Sequence, residues 1–201
     1  MHMNQQHLRN ALNPIVANLV AIEQELNAAD SKLGDGDTGG MLARVVTAMH
    51  AAALPGDGDI GATLSAYARA TAAATGSSLG TLIATAMLTI AKQTKGRTEI
   101  RWSELGALLE QARDAMSARG GAALGDKTVL DALDAVARSI DGLDDPATVH
   151  SAAEAAAVAT LEEFRDRPNK IGRARMFAEA SIGLDDPGML AMVRVIQAIG
   201  R

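Results

Sequence analysis

Residues 30–41 read DSKLGDGDTGGM, a polar, glycine-rich break between two long stretches of helical period. Apolar residues recur every three or four positions over 4–29 and again over 38–53, while Gly34 and Gly36 let the backbone between them turn sharply. The stretch therefore reads as helix, tight loop, helix. The same period predicts further helices over 59–74, 77–94, 103–118, 127–141, 147–166 and 187–200. Strand alternation is hard to find. The breaks carry helix-stop chemistry: Pro55 with Gly56, Gly96, and GGAALGD at 120–126. Ser103 followed by Glu104 reads as a cap with an acid in the first turn, and Pro187 suits the start of the last helix. Short links favour antiparallel neighbours. The expected fold is all-α: a single domain over 1–201, built as an antiparallel eight-helix bundle.

Composition supports this. The chain is 48% hydrophobic but only 2% aromatic, so its core must be built from Ala, Leu, Val, Ile and Met, which suit closely packed helices. A net charge of −5 and the scarcity of stacking aromatics exclude general nucleic-acid binding. With no cysteine there is neither a disulfide framework nor thiolate chemistry. No run of about 18 apolar residues predicts a membrane span. The N-terminus lacks a basic-then-apolar leader pattern, and a cytoplasmic location is expected. His2, within MHM at 1–3, is assigned no role.

Asp30, Asp35 and Asp37 fall within eight residues. Three carboxylates this close repel one another unless something positive compensates, and hard oxygen ligands on a short loop suit Mg²⁺ or Ca²⁺. An EF-hand is excluded, because position 12 counted from Asp35 is Val46, where a bidentate Glu is needed. Thr38, Gly39, Gly40 and Met41 then open a helix, whose first N–H groups and dipole attract phosphate. Carboxylates followed at once by a helix start describe a metal–nucleotide site; a solvated loop with a capping Asp is the competing reading. A second GDGD, at 56–59, has no third acid upstream, and Asp59 reads as a helix cap after a Pro-Gly turn.

Elsewhere, TGSSLGT at 75–81 leads into a helix, and Ser77 and Ser78 could donate to phosphate or only cap. GAALGDKT at 121–128 fails the phosphate-loop test because Asp126 intervenes between Gly125 and Lys127 and no strand precedes it. RDRPNKIGRAR at 165–175 is the dense basic stretch: a solvated surface is the usual reading of such a run, and an arginine supplied to phosphate is the other. His7, His50 and His150 form no metal pair and no nucleophile–base signature.

LGDGDTGGM at 33–41, GSSLGT at 76–81, RGGAALGDKTVLDAL at 119–133, GRAR at 172–175 and SIGLDDPG at 181–188 together resemble the L-type, ADP- or ATP-binding subunit or domain of dihydroxyacetone kinases. The resemblance implies a barrel of eight antiparallel helices with the nucleotide at one end, among the connecting loops. It implies two Mg²⁺ ions on Asp30, Asp35 and Asp37, bridging to phosphates. Phosphate contacts fall on Thr38, Gly39, Gly40 and Met41, with Thr75, Gly76, Ser77 and Ser78 nearby. Gly120 and Val129 fall around the base. Arg173, Asp186, Pro187 and Gly188 complete the set, with Arg173 and the three aspartates carrying the chemistry. Thr38 and Leu184 stand where this family often has His, which points to another short ketose or sugar derivative as substrate.

The resemblance also implies a divided enzyme. A separate K-type subunit holds the dihydroxyacetone-like substrate, and in some systems a phosphotransferase-system phosphocarrier subunit rephosphorylates resident ADP; elsewhere ATP exchanges. The chain is therefore expected to act as one subunit of a kinase complex. The oligomeric state stays open, a homodimer included. Two other readings remain: a non-catalytic nucleotide-loaded adaptor or co-activator that reports to a regulator, and a plain helical interaction domain.

Overall fold

A computed structural model describes residues 1–172, 175–176 and 178–200. Among them are eight α-helices: α1 (Gln5–Asp30), α2 (Thr38–His50), α3 (Ile60–Ala74), α4 (Ser78–Gln93), α5 (Leu105–Gly120), α6 (Val129–Ile140), α7 (Pro146–Arg165) and α8 (Pro187–Ile199). The all-α expectation holds, with helix ends mostly within two residues of the sequence reading. Helix α2 stops three residues early, at His50, ahead of the extended Ala-Leu-Pro segment that Pro55 favours.

Each helix packs on its neighbours in sequence, and α8 closes the ring against α1. The links 31–37, 75–77, 121–128 and 166–186 therefore gather at one end, and 51–59, 94–104 and 141–145 at the other. The core inside the ring is aliphatic. Leu26, Val46, Ile60, Met189 and Val193 are almost wholly buried, and each apolar side chain of this size stabilises the fold by roughly 2 kcal/mol. Small residues set the spacing: a Cβ on Gly61 of α3 would lie 2.6 Å from the carbonyl oxygen of Ala91 on α4. A smaller apolar cluster, with Met116, Leu130 and Leu133 buried, lies where the 121–128 link meets α6.

Two local expectations are corrected. The first concerns MHM. His2–Asn4 forms a strand, β1, paired antiparallel with β2 (Glu99–Arg101), and Met3 is buried opposite Ile100. The Met1 ammonium also ion-pairs with Asp144. Strands of three residues are too short to show alternation. The second concerns Ser103, which caps nothing. Trp102–Glu104 is a 3₁₀ turn, and Glu104 accepts from the Arg101 N–H at 2.8 Å. Glu104 also holds Arg97 in a fork at 2.8 and 2.9 Å.

The Arg97 fork pulls the Glu104 carboxyl down to about 2, helped by the Arg101 N–H. A carboxyl depressed on folding adds stability above its unfolded value of 4.5, lost as pH falls towards 2. Because both side chains are partly exposed, Glu104→Gln is expected to cost only about 1 kcal/mol at pH 7. Urea melts should show that difference shrinking between about pH 4.5 and 2; a pH-independent difference would assign the loss to packing.

Candidate functional site

Asp30 is the buried last residue of α1, and its Oδ2 accepts from the N–H groups of Asp37 and Thr38 at 2.9 and 3.2 Å. One turn earlier, Asn27 Oδ1 accepts from Gly39 and Gly40 at 2.8 and 3.2 Å. The end of α1 thus grips the start of α2. Glycine is required at 39, where a Cβ would sit 2.2 Å from the Glu23 carbonyl oxygen. Gly36, at φ +75°, turns the chain between Asp35 and Asp37. The result is a cluster in which Asp30, Asp35 and Asp37 each offer a carboxylate oxygen within 4.8 Å of the others.

One expectation changes here. The sequence suggested that the α2 amides are available to phosphate, yet those of Thr38, Gly39 and Gly40 are taken by Asp30 and Asn27. Helix α4 differs. Ser77 Oγ caps Gly80 N–H at 3.0 Å, which leaves the first-turn amides of Ser78 and Leu79 without an intrahelical partner. Thr75 Oγ1 accepts from Ser77 N–H at 3.1 Å and so fixes this turn.

The 121–128 link is held by α6. Asp131 accepts from Gly125 and Thr128 N–H at 2.6 and 2.8 Å, and burial raises its carboxyl above the usual aspartate value. Lys127 sits at φ +61° and is fully buried, with its Nζ donating to the carbonyls of Arg165, Arg167 and Ser181 at 2.8–3.0 Å. Burial pulls its ammonium below lysine's ordinary value, against the pull of Asp186, Asp185 and Asp166. Asn169 completes the clamp, donating to the Lys127 carbonyl and to Asp186 Oδ2, each at 2.9 Å. Asp186 Oδ1 caps α8 through Met189 N–H at 2.9 Å, and burial pushes its carboxyl up to about 6.

These links enclose a cavity of about 610 Å³, large enough for a nucleotide-sized ligand. Its wall carries Asp30, Asp35, Asp37, Thr38, Met41, Gly76, Ser77, Ser78, Gly120, Val129, Asp186, Pro187 and Gly188. Thirteen of the residues singled out in the sequence thus meet in one place. Gly39, Gly40 and Thr75 stand behind the wall rather than in it. Arg173 lies outside the described residues. The acidic cluster sits in a wall that also carries the aliphatic side chains of Leu79, Leu82, Val129, Leu130 and Ile171.

Three cations of the basic stretch have partners within the protein. Arg165 pairs with Asp185 at 2.8 Å, Arg167 pairs with Glu163 and lies 4.2 Å above the Phe164 ring, and Lys170 bonds the Gly125 carbonyl at 2.9 Å. Among the described wall residues, the cationic side chain is Arg119, which the sequence reading passed over. Its signal was its place at the head of RGGAALGDKT. Lys127 and Asn27 were missed as well. The Asn27 signal is its spacing three residues before Asp30, which puts both on one helical face. The GDGD at 56–59 is a turn and cap, as expected: Asp59 accepts from Ala62 and Gly96 N–H, each at 3.0 Å.

Residues 32–201 match the family model of the DAK2 domain. The chain is 33% identical over 189 residues to D-erythrulose kinase of Mycolicibacterium smegmatis, covering 90% of this chain and 33% of that one. It is 29% identical over 183 residues to the ADP-binding subunit DhaL of the PEP-dependent dihydroxyacetone kinase of Escherichia coli K12, covering 87% and 85%. The solved dihydroxyacetone kinase of Citrobacter freundii superposes with a TM-score of 0.72 at 25% identity in its native form, over 94% of this chain and 33% of that one. Its complex with AMP-PNP and Mg²⁺ gives 0.68 at 26% identity, over 94% and 32%. The chain thus spans about a third of the length of most of these kinases but most of the E. coli subunit. No helix among the described residues is long and apolar enough to cross a membrane. Fold, matched span and relatives agree: the chain belongs to the DAK2 domain family.

Proposed function

We propose that this chain is the nucleotide-holding, phosphoryl-transfer unit of a dihydroxyacetone kinase-like enzyme. It binds ADP or ATP with Mg²⁺ and passes phosphate to a short ketose held by a K-type partner subunit. The observation that carries this reading is the meeting of three carboxylates, one of them buried, in the wall of a nucleotide-sized cavity that also carries aliphatic side chains. Hard, anionic oxygen donors within 4.8 Å of one another fit Mg²⁺, and a pair of such ions fits three carboxylates that share phosphate oxygens as further ligands. Bound there, the cation would neutralise charge developing on the transferred phosphoryl group.

The chain's own residues do the rest. Asp30 fixes the α1–α2 junction and presents its carboxylate from a rigid base. The Ser78 and Leu79 amides and the Arg119 guanidinium can face phosphate oxygens. Leu82, Val129 and Ile171 supply an apolar part of the wall against which a base would pack. Among the described wall residues there is no histidine or lysine to take a proton from an acceptor hydroxyl. The assignment of the acceptor to a partner subunit rests on the resemblance to divided dihydroxyacetone kinases and on the likeness to the E. coli subunit.

Isothermal titration of the chain with ADP and with ATP tests this directly. Binding is expected with Mg²⁺ and is expected to weaken at least tenfold in EDTA. Metal-independent binding of equal strength would remove the reading. Mixing the chain with a K-type subunit, ATP and dihydroxyacetone should then yield sugar phosphate. Nucleotide binding without transfer would favour the adaptor role instead. ADP that stays bound through gel filtration would select a phosphocarrier as donor over exchanging ATP.

A further inference from the structure

Three helices of this fold start behind an aspartate that caps in the ordinary way. Asp59, Asp145 and Asp186 each accept the N–H three residues on, from Ala62, Thr148 and Met189, at 2.8–3.0 Å. Asp37 holds the same position before α2 but makes no such bond. Its backbone is also not extended, as a capping residue's normally is, but lies at φ −109°, ψ 0°. The two amides that an N-cap side chain would normally take are those of Gly39 and Gly40, and both are bound by Asn27 Oδ1 from the neighbouring helix. The Asp37 carboxylate instead stands with those of Asp30 and Asp35.

We propose that Asn27 is a positioning residue for the cation site: by capping α2 from α1, it keeps the Asp37 carboxylate out of the capping role and available as a ligand. This rests on the cation reading of Asp30, Asp35 and Asp37. The physical basis is competition for one carboxylate. A helix start with unmet amides attracts a nearby acid, both through hydrogen bonds and through the helix dipole. Without Asn27, the Gly39 and Gly40 amides fall to Asp37, the acid in the N-cap position, and each oxygen turned to them is lost to a metal. The close approach that lets Asn27 reach across is the one that demands Gly39, with its Cα against the α1 backbone.

The test measures Mn²⁺ binding by electron paramagnetic resonance of the free ion, with stability followed by thermal melting. Asn27→Leu removes the acceptor at similar volume and is expected to weaken Mn²⁺ binding about tenfold or more. Asn27→Asp restores an acceptor and is expected to bind within about threefold of wild type. In an Asp37→Asn background, Asn27→Leu should change Mn²⁺ affinity by less than about twofold, because the carboxylate it protects is gone. A merely structural role for Asn27 would lower affinity equally in both backgrounds, and that outcome overturns the proposal, as does an Asn27→Leu protein that binds like wild type. If the leucine variant does not fold, Asn27→Ala makes the same comparison. Wild type that binds no Mn²⁺ would remove the cation reading itself and this inference with it; wild type that binds while Asn27→Leu is unaffected removes only this inference.

Discussion

Asp35→Asn is expected to weaken Mg²⁺-dependent ADP binding by about two orders of magnitude, equivalent to roughly 2.7 kcal/mol. The substitution keeps the size of the side chain and removes the charge. In the metal-free protein three carboxylates converge within 4.8 Å, so removing one charge also relieves repulsion. The melting temperature without metal should therefore stay within about 2 °C of wild type, since one kcal/mol moves a protein of this size by roughly 2–4 °C. With Mg²⁺ and ADP, wild type should gain several degrees and the variant almost none, because a ligand stabilises in proportion to its binding. Calorimetry and thermal melts run side by side check both halves. An Asp35→Asn protein that keeps the wild-type gain in melting temperature would show that these carboxylates hold no cation.

The largest effect on stability is expected at Lys127. Its ammonium is the hydrogen-bond donor to three carbonyls, two at the end of α7 and one beyond, and it is fully buried. Lys127→Met leaves those acceptors in a place that water reaches poorly. At about 1–3 kcal/mol for each stranded group, with part recovered by relaxation, the loss should be about 3–5 kcal/mol. That is a large share of the 5–15 kcal/mol that separates a typical folded domain from its unfolded chain. A fall in melting temperature of roughly 6–20 °C is the expected reading. Lys127→Gly changes both features of this residue at once. Glycine accepts φ +61° without strain, worth about 1 kcal/mol, but it still lacks the donor. It also deletes the buried stem and leaves a cavity that outweighs the relieved strain, so its melting temperature should lie below that of Lys127→Met. A Lys127→Gly protein as stable as wild type would mean that the ammonium contributes nothing net. The same clamp carries Asp186 and the Ile171–Gly172 wall, so nucleotide binding should weaken in both variants in proportion to the loosening of the 166–186 link.

Helix identity was readable because each helix here declares itself locally. The apolar period is 3.6 residues, the stops are Pro and Gly, and the caps lie within three residues of the amides they serve. Asp59, Ser77, Asp145 and Asp186 all cap through contacts at that short range. The acidic cluster was legible for the same reason, since seven residues separate its outermost members. Ser103 shows the limit of this approach. Nothing in Trp-Ser-Glu distinguishes a helix cap from a 3₁₀ turn until Arg97 and Arg101 take hold of Glu104.

The sequence by itself determined the eight helices, the order of their links and the three carboxylates that meet in the first of those links. The tertiary structure decided which charged groups face the cavity. In the basic stretch, Arg165, Arg167 and Lys170 are held by Asp185, Glu163 and the Gly125 carbonyl, while Arg119 arrives in the cavity wall from α5. It also decided that the α2 amides belong to Asn27 and Asp30, and that Lys127 ends beneath three carbonyls 38 to 54 residues away in the chain. The reason is range. A cap or a helical period depends on residues that stay neighbours in any fold, whereas the partner of a long polar side chain is fixed only when the ring of helices closes and brings four separate links to one end.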